Sequence, residues 1–175
     1  MNILNFTLFK KNISDQSHLI NKSLENKNLY YITDGNNKQI YLKFNNVRLP
    51  FNFQLYKQKL YMNAELYPSE ANYDDNLSLI NKFEDCIKEN MRDVLKKEYC
   101  SVIKHRERSE HLKFMLKRDS KDIILIADED LDIKKMTEYH KLGIRYDIVV
   151  KPEILWETND TYGVIFYIYS IRKSI

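Results

Sequence analysis

The chain is poor in the residues that cross-link a fold or cradle a cofactor: its 175 residues include 3 glycines, 3 prolines and 2 cysteines. Cys86 and Cys100 are too few for a disulfide framework or for a zinc site built from cysteine alone, so a reducing, intracellular compartment is expected. With so few glycines there is no Gly-rich loop to hold a phosphate. No serine stands in a nucleophile elbow, and neither cysteine has a plausible histidine partner. No apolar run approaches the roughly 18–20 residues that span a bilayer; the longest, Val164 to Tyr169, has the length of a strand. Met1 to Lys11 lacks the charged and apolar regions of a secretory signal. These gaps point away from an enzyme, a membrane protein and a disulfide-stapled domain, and no cofactor or metal is expected.

Aromatic rings are plentiful, with 13 tyrosines and 8 phenylalanines. A hydrophobic share of 43% beside a charged share of 30% leaves enough apolar surface to fold and enough charge to stay in solution, so one globular core is expected. The net charge of +3 is a mild lean toward anionic partners.

Periodicity supplies the elements. Tyr30 to Thr33 and Gln39 to Phe44, joined by Asp34-Gly35-Asn36-Asn37, read as a hairpin, because Asp-Gly accepts the positive φ angles of a primed turn. Phe51, Phe53 and Leu55 alternate on one strand; Leu60, Met62, Ala64 and Leu66 alternate on the next, leaving Tyr61, Asn63, Glu65 and Tyr67 on its other face. Leu77, Ile80, Phe83, Ile87, Met91 and Val94 recur at three and four residues, which predicts a helix over about 76–97. In the most basic stretch, Leu112, Phe114 and Leu116 alternate with Lys113, Met115 and Lys117. Ile123 to Ala127 reads as an apolar strand, a short helix is expected over 132–142 before Gly143, and two long strands joined by a tight turn end the chain.

Two polar clusters invite a catalytic reading. Asp128, Glu129, Asp130 and Asp132 follow an apolar strand, where carboxylates could hold magnesium for a nuclease. The strings ILIADED and VVKP resemble landmarks of phosphorelay receivers, but only about twenty residues separate them, too few for the βα units that a receiver places between. His105, Glu107, Glu110 and His111 are set among Arg and Lys, which repel a cation. A solvated acidic turn and a charged strand end account for both.

The other constellation is aromatic and basic. Tyr61 and Tyr67, and Tyr167 and Tyr169 opposite Phe166 and Ile168, fall on the non-core faces of strands, with Arg172 following and Lys113, Lys117 and Arg118 nearby in the basic strand. Bases stack on such rings for about 1–3 kcal/mol each, while Lys and Arg neutralise phosphates. The same rings could instead form a protein interface, in which Tyr and Arg are enriched, as in a structural protein of a virion or other assembly.

In their order, LPFNFQLYKQKLYMNAEL, an interrupting helix, LKFMLKRD and the closing DIVVKPEILWETNDTYGVIFYIYSIRK resemble the single-stranded-DNA-binding proteins of large nucleocytoplasmic DNA viruses, which have the OB fold. The resemblance covers roughly residues 47–175. It implies a mainly β (α+β) architecture: an OB-like five-stranded barrel with one long helix inserted, with residues 1–46 as an N-terminal strand or hairpin extension packed on it. It implies Trp156, Tyr162, Tyr167 and Tyr169 as stacking residues and Lys113, Lys117 and Arg118 as phosphate contacts. The implied partner is single-stranded DNA, or RNA, in support of DNA replication or recombination, alongside a homo-oligomer or replication proteins. The implied place is the host cytoplasm or a viral factory. The chain ends in Arg172-Lys173-Ser174-Ile175 rather than in an acidic tail, so recruitment of partners through such a tail is not expected.

Overall fold

Where apolar residues alternate with polar ones over ten residues or more, the chain makes its long strands, and these organise the rest. The computed structural model describes residues 3–4, 20–22, 29–33, 38–56, 59–119, 122–124, 126–129 and 131–174. In chain order the elements are β1 (Ile3–Leu4), β2 (Ile20–Lys22), β3 (Leu29–Ile32), β4 (Tyr41–Val47), β5 (Gln54–Tyr56), β6 (Lys59–Leu66), α1 (Tyr73–Met91), β7 (Glu98–Cys100), β8 (Ile103–His105), β9 (Glu110–Asp119), β10 (Asp122–Ile124), β11 (Ile126–Ala127), a 3-10 turn (Ile133–Lys135), α2 (Met136–Lys141), β12 (Tyr146–Glu157) and β13 (Thr161–Lys173).

The architecture is mainly β. The strands form a mixed sheet in the order β1-β4-β12-β13-β9-β6-β5, antiparallel along most of this path, with β13 parallel to β9 and β1 parallel to β4. Just beyond β4, Arg48 pairs with Glu65 of β6 through both backbone hydrogen bonds, at 3.1 and 2.8 Å. One side chain in two points inward, and these are the apolar ones: Leu42 and Phe44, Met62 and Ala64, Leu112 and Phe114, Ile148 and Val150, Phe166 and Ile168 are all buried. Phe114 touches Phe44 and Phe166 at ring separations of 5.6 and 6.1 Å. Each such side chain contributes about 1.5–3 kcal/mol by leaving water.

Helix α1 lays Leu79, Ile80, Phe83 and Ile87 on this core, with Phe83 edge-on to Phe166 at 5.5 Å. Its buried face also carries two polar residues, and each has a structural task. Asn76 accepts from the backbone N–H of Asn45 and donates to the Asn45 carbonyl, fastening the helix to β4. Glu84 accepts from the Tyr99 hydroxyl (3.2 Å), the Ser101 hydroxyl (2.7 Å) and the Val102 N–H (2.8 Å), fastening it to the segment that joins β7 to β8. The helix ends at Met91 rather than near 97: Met91 O accepts from the N–H groups of Val94 and Leu95, and the turn buries Leu95 while leaving Val94 59% exposed.

Three register shifts bend the long strands. In β4 two residues, Asn45 and Asn46, stand opposite the single Asp147 between the pairs Phe44–Ile148 and Val47–Tyr146, and Asn46 takes the left-handed conformation with φ 54°. In β13 the pairs Val149–Ser170 and Val150–Ile168 leave Tyr169 as an extra residue; in β12 the pairs Pro152–Phe166 and Ile154–Ile165 leave Glu153 as another. Pro152, which has no N–H for a ladder, lies where β12 changes partner from β4 to β3.

Two local expectations are corrected. The arms read as a hairpin run end to end along the same edge of β12, β3 against residues 154–156 and β4 against 146–150, and a single antiparallel bridge, Thr33 to Gln39, joins them. The Asp34-Gly35-Asn36-Asn37 tip lies outside the described residues. The strand expected from Phe51 is only three residues long, β5, which among the described residues stands at the end of the sheet path, and its Leu55 is 65% exposed.

Candidate nucleic-acid interface

The face of the sheet away from the core gathers rings and lysines from four strands. Direct pairing sets Tyr61 of β6 beside Met115 of β9, Met115 beside Tyr167 of β13, and Tyr167 beside Lys151 of β12. All four point outward, because their neighbours Leu60, Met62, Phe114, Leu116, Phe166, Ile168, Val150 and Pro152 point in. Lys113 holds its ammonium 3.9 Å from the centre of the Tyr61 ring, and Lys117 lies 5.5 Å from that of Tyr167. The extra residue in β13 brings Tyr169 against Tyr41 of β4, rings edge to face at 5.0 Å.

Three hollows line this face. One of about 430 Å³, open to solvent, is lined by Tyr41, Tyr167, Tyr169, Lys117, Lys151 and Glu153 together with Ile126 and Ile168. A second of about 430 Å³ lies between Tyr61, Met115 and Trp156, with Lys59, Lys104 and Lys113 around it and Cys100 and Ser101 in its wall. The hydrogen bonds to Glu84 hold that wall in place. A groove of about 720 Å³ continues from Tyr169 past Lys43 to Arg172 and Lys173.

The acidic groups here are engaged. Glu153 accepts from Lys117 at 3.0 and 3.1 Å and pairs with Lys151 at 3.2 Å. Burial alone would raise its carboxyl, but the Lys117 hydrogen bond and the Lys151 charge hold it below its ordinary value. Asp147 is lowered in the same way: burial opposes its ionisation, and the Ser174 hydroxyl, Lys43 and the Asn46 N–H outweigh it. The phenols of Tyr41 and Tyr167 are pushed up, first by burial and then by Tyr169 and Glu153 respectively, so both rings stay neutral at neutral pH. Neutral rings ringed by ammonium groups can stack bases and neutralise phosphates together.

Of the residues singled out in the sequence, Tyr61, Tyr167, Tyr169, Lys113, Lys117, Trp156 and Arg172 line these hollows. Tyr67 does not join them. It lies six residues from Tyr61, one position beyond the end of β6 and about 20 Å away by strand rise, with the Arg48 guanidinium 4.0 Å from its ring centre. Tyr162 is corrected: only 4% exposed, it packs edge-on against Tyr99 at 5.2 Å and offers no open face, because it shares the inward parity of Val164 and Phe166. Arg118 pairs through its backbone with Ile123; its side chain lies outside the described residues. Tyr41, Lys43, Lys59, Lys104 and Lys151 were missed. For Tyr41 and Lys43 the signal was present, since the inward parity of Leu42 and Phe44 turns both outward.

The acidic stretch has other tasks. Asp128 accepts from the Lys173 N–H and Asp132 from the Lys134 N–H, while Asp130 lies outside the described residues. His105 and His111 approach different partners, Glu110 and Glu65. Among the described residues no three His, Cys, Asp or Glu side chains converge as a metal site would require.

No protein-family model matches the chain, and no curated protein matches it in sequence. Among solved structures it is similar to the single-stranded DNA-binding protein from bacteriophage Enc34, at 12% identity and a TM-score of 0.48, covering 89% of each chain. The same phage protein in complex with ssDNA gives 12% identity and a TM-score of 0.49 over 88% of this chain and 94% of that one. Its C-terminal truncation gives 13% and 0.48 over 90% and 95%.

Proposed function

We propose that this chain binds single-stranded DNA, with little base preference, across the outer face of an OB-like five-stranded barrel. The observation that carries the reading is the row Tyr61–Met115–Tyr167–Lys151, flanked by Lys113 and Lys117. Every base has a π-face, so such rings accept any of them once the strand is unpaired, and lysines beside the rings meet the phosphates between bases. The barrel reading is supported by pairings that return on themselves: β4 to β12, β12 to β13, β13 to β9, β9 to β6, and β6 back to the end of β4 through Arg48 and Glu65. A coat of this kind keeps a separated strand from reannealing, which is what replication and recombination require.

Titration with oligo-dT at several salt concentrations, followed by tyrosine and tryptophan fluorescence, tests the reading. The expected result is quenching on binding, with log K falling linearly with log salt at a slope of about −0.7 per phosphate neutralised. Absence of binding at about 50 mM salt, or an affinity indifferent to salt, defeats it. Oligo-rU in the same titration separates a DNA binder from one that takes RNA equally.

A further inference from the structure

Glu153 is the one acidic residue among the described residues lining the hollow between Tyr41, Tyr167 and Tyr169. The β12 register shift puts it there: Pro152 pairs with Phe166 and Ile154 with Ile165, so Glu153 has no counterpart in β13. A bulge is a usual device for re-aiming one side chain at a site. The carboxylate is drawn into the sheet surface, its side chain only 17% exposed, and both oxygens are occupied. Lys117 reaches them from β9 at 3.0 and 3.1 Å, and Lys151 reaches Oε2 from its own strand at 3.2 Å.

Two oxygens of one anion shared between two ammonium groups is also how a phosphodiester would sit between the same lysines. From this placement, and resting on the single-strand reading above, we infer that Glu153 is an internal competitor for the nucleic-acid backbone. In the free protein it occupies Lys117 and Lys151 and keeps both poised beside the Tyr167 ring. An arriving phosphate takes one or both lysines, and the carboxylate gives them up. The ligand class follows. A lone phosphate has only its charge to set against an anion already tethered at the site, whereas a strand adds stacking on Tyr41, Tyr61 and Tyr167 and phosphates on either side. The device therefore favours a polymer over its monomer and keeps affinity low enough for the strand to be released.

Glu153→Gln retains the shape and removes the charge. Oligo-dT titrations of the wild type and of this variant, over a series of salt concentrations, read the effect. The variant is expected to bind about tenfold more tightly at low salt, as freed lysines gain phosphate contacts, and its log–log salt slope to steepen by about 0.7–1.4. Adding Lys117→Met to Glu153→Gln is expected to take back part of both gains. If the wild type binds and Glu153→Gln binds equally or more weakly, Glu153 only positions the lysines and the inference is overturned. If neither protein binds, the single-strand reading falls and the inference falls with it. Binding by the variant at salt concentrations too high for the wild type likewise supports the competitor role. Should circular dichroism show Glu153→Gln unfolded, Glu153→Asp, one methylene too short to bridge both lysines, carries the same test with the same expected direction; an unchanged or weaker affinity there overturns the inference.

Discussion

Trp156 rests against Gly163, its partner across the β12–β13 pair, so closely that a methyl group on Gly163 would stand 2.8 Å from the indole Cζ2. The same methyl group would lie 2.9 Å from the carbonyl oxygen of Cys100, which is held in β7 by its pairing with β13. Neither neighbour can yield without moving a strand or the indole. Gly163→Ala is expected to cost about 1–3 kcal/mol of stability, as overpacking does. Because the chain has a single tryptophan, a shift of its emission in the folded variant reports the displaced indole directly. An unchanged emission maximum with unchanged stability would contradict the packing described.

The outer rings should divide into two groups in a binding assay. Tyr61→Ala and Tyr167→Ala each remove a ring of the central row that lines a hollow and are expected to weaken oligo-dT binding by about 1–3 kcal/mol, roughly 5- to 150-fold. Tyr67→Ala is expected to leave affinity unchanged, since that ring stands just beyond β6 and lines none of the three hollows. Lys113→Ala should flatten the salt slope by about 0.7 as one phosphate contact is lost. Equal losses from Tyr61→Ala and Tyr67→Ala would show that the strand takes a different path.

Much of this was legible in the chain because a strand's inward and outward positions alternate with an unbroken parity. Leu112, Phe114 and Leu116 announced which way Lys113, Met115 and Lys117 would face, and the same parity should have moved Tyr162 to the core with Val164 and Phe166. What parity cannot reveal is where it slips. One added residue at Asn46, Glu153 or Tyr169 looks in the sequence like any other strand residue, yet it shifts the register and re-aims a side chain. Strand partners were equally hidden. That β9 lies beside β13, bringing Tyr61 and Tyr167 into one row, is a long-range pairing that local periodicity does not encode.

Acid should weaken the fold at Glu70. Its Oε1 accepts from Arg48 Nε and Nη2 at 2.9 and 2.7 Å and from Arg145 Nε at 2.8 Å, joining the ends of β4 and β6 to the start of β12. Burial alone would raise the carboxyl; the two guanidinium groups outweigh it and hold it below the ordinary value of 4.5. A carboxyl depressed in the folded state contributes stability that is complete above its unfolded value and is lost as pH falls through the folded one. Glu70→Gln is therefore expected to lose about 1.5–3 kcal/mol in urea unfolding at pH 7. Its deficit relative to the wild type should shrink as pH drops below about 4.5. A deficit constant across that range would place the effect in packing rather than charge.

The two cysteines give a test of the interface that needs no mutation of the rings. Cys86 faces the core from α1, and burial, with the charge of Glu89 adding to it, pushes its thiol up to about 11, so almost no thiolate forms near neutral pH. Cys100 is exposed in the wall of the hollow formed by Tyr61, Met115 and Trp156. In the native protein at about pH 8 one thiol per chain is expected to react promptly with an aromatic disulfide reagent, and the second only on unfolding. Saturating oligo-dT should slow the prompt reaction markedly if a strand lies over that hollow, while leaving Cys86 unreactive as before. Because the probe reports access at a single named atom, its outcome distinguishes a strand that crosses Tyr61 and Trp156 from one confined to Tyr41, Tyr167 and Tyr169: protection of Cys100 selects the longer path, and full reactivity in a saturated complex selects the shorter.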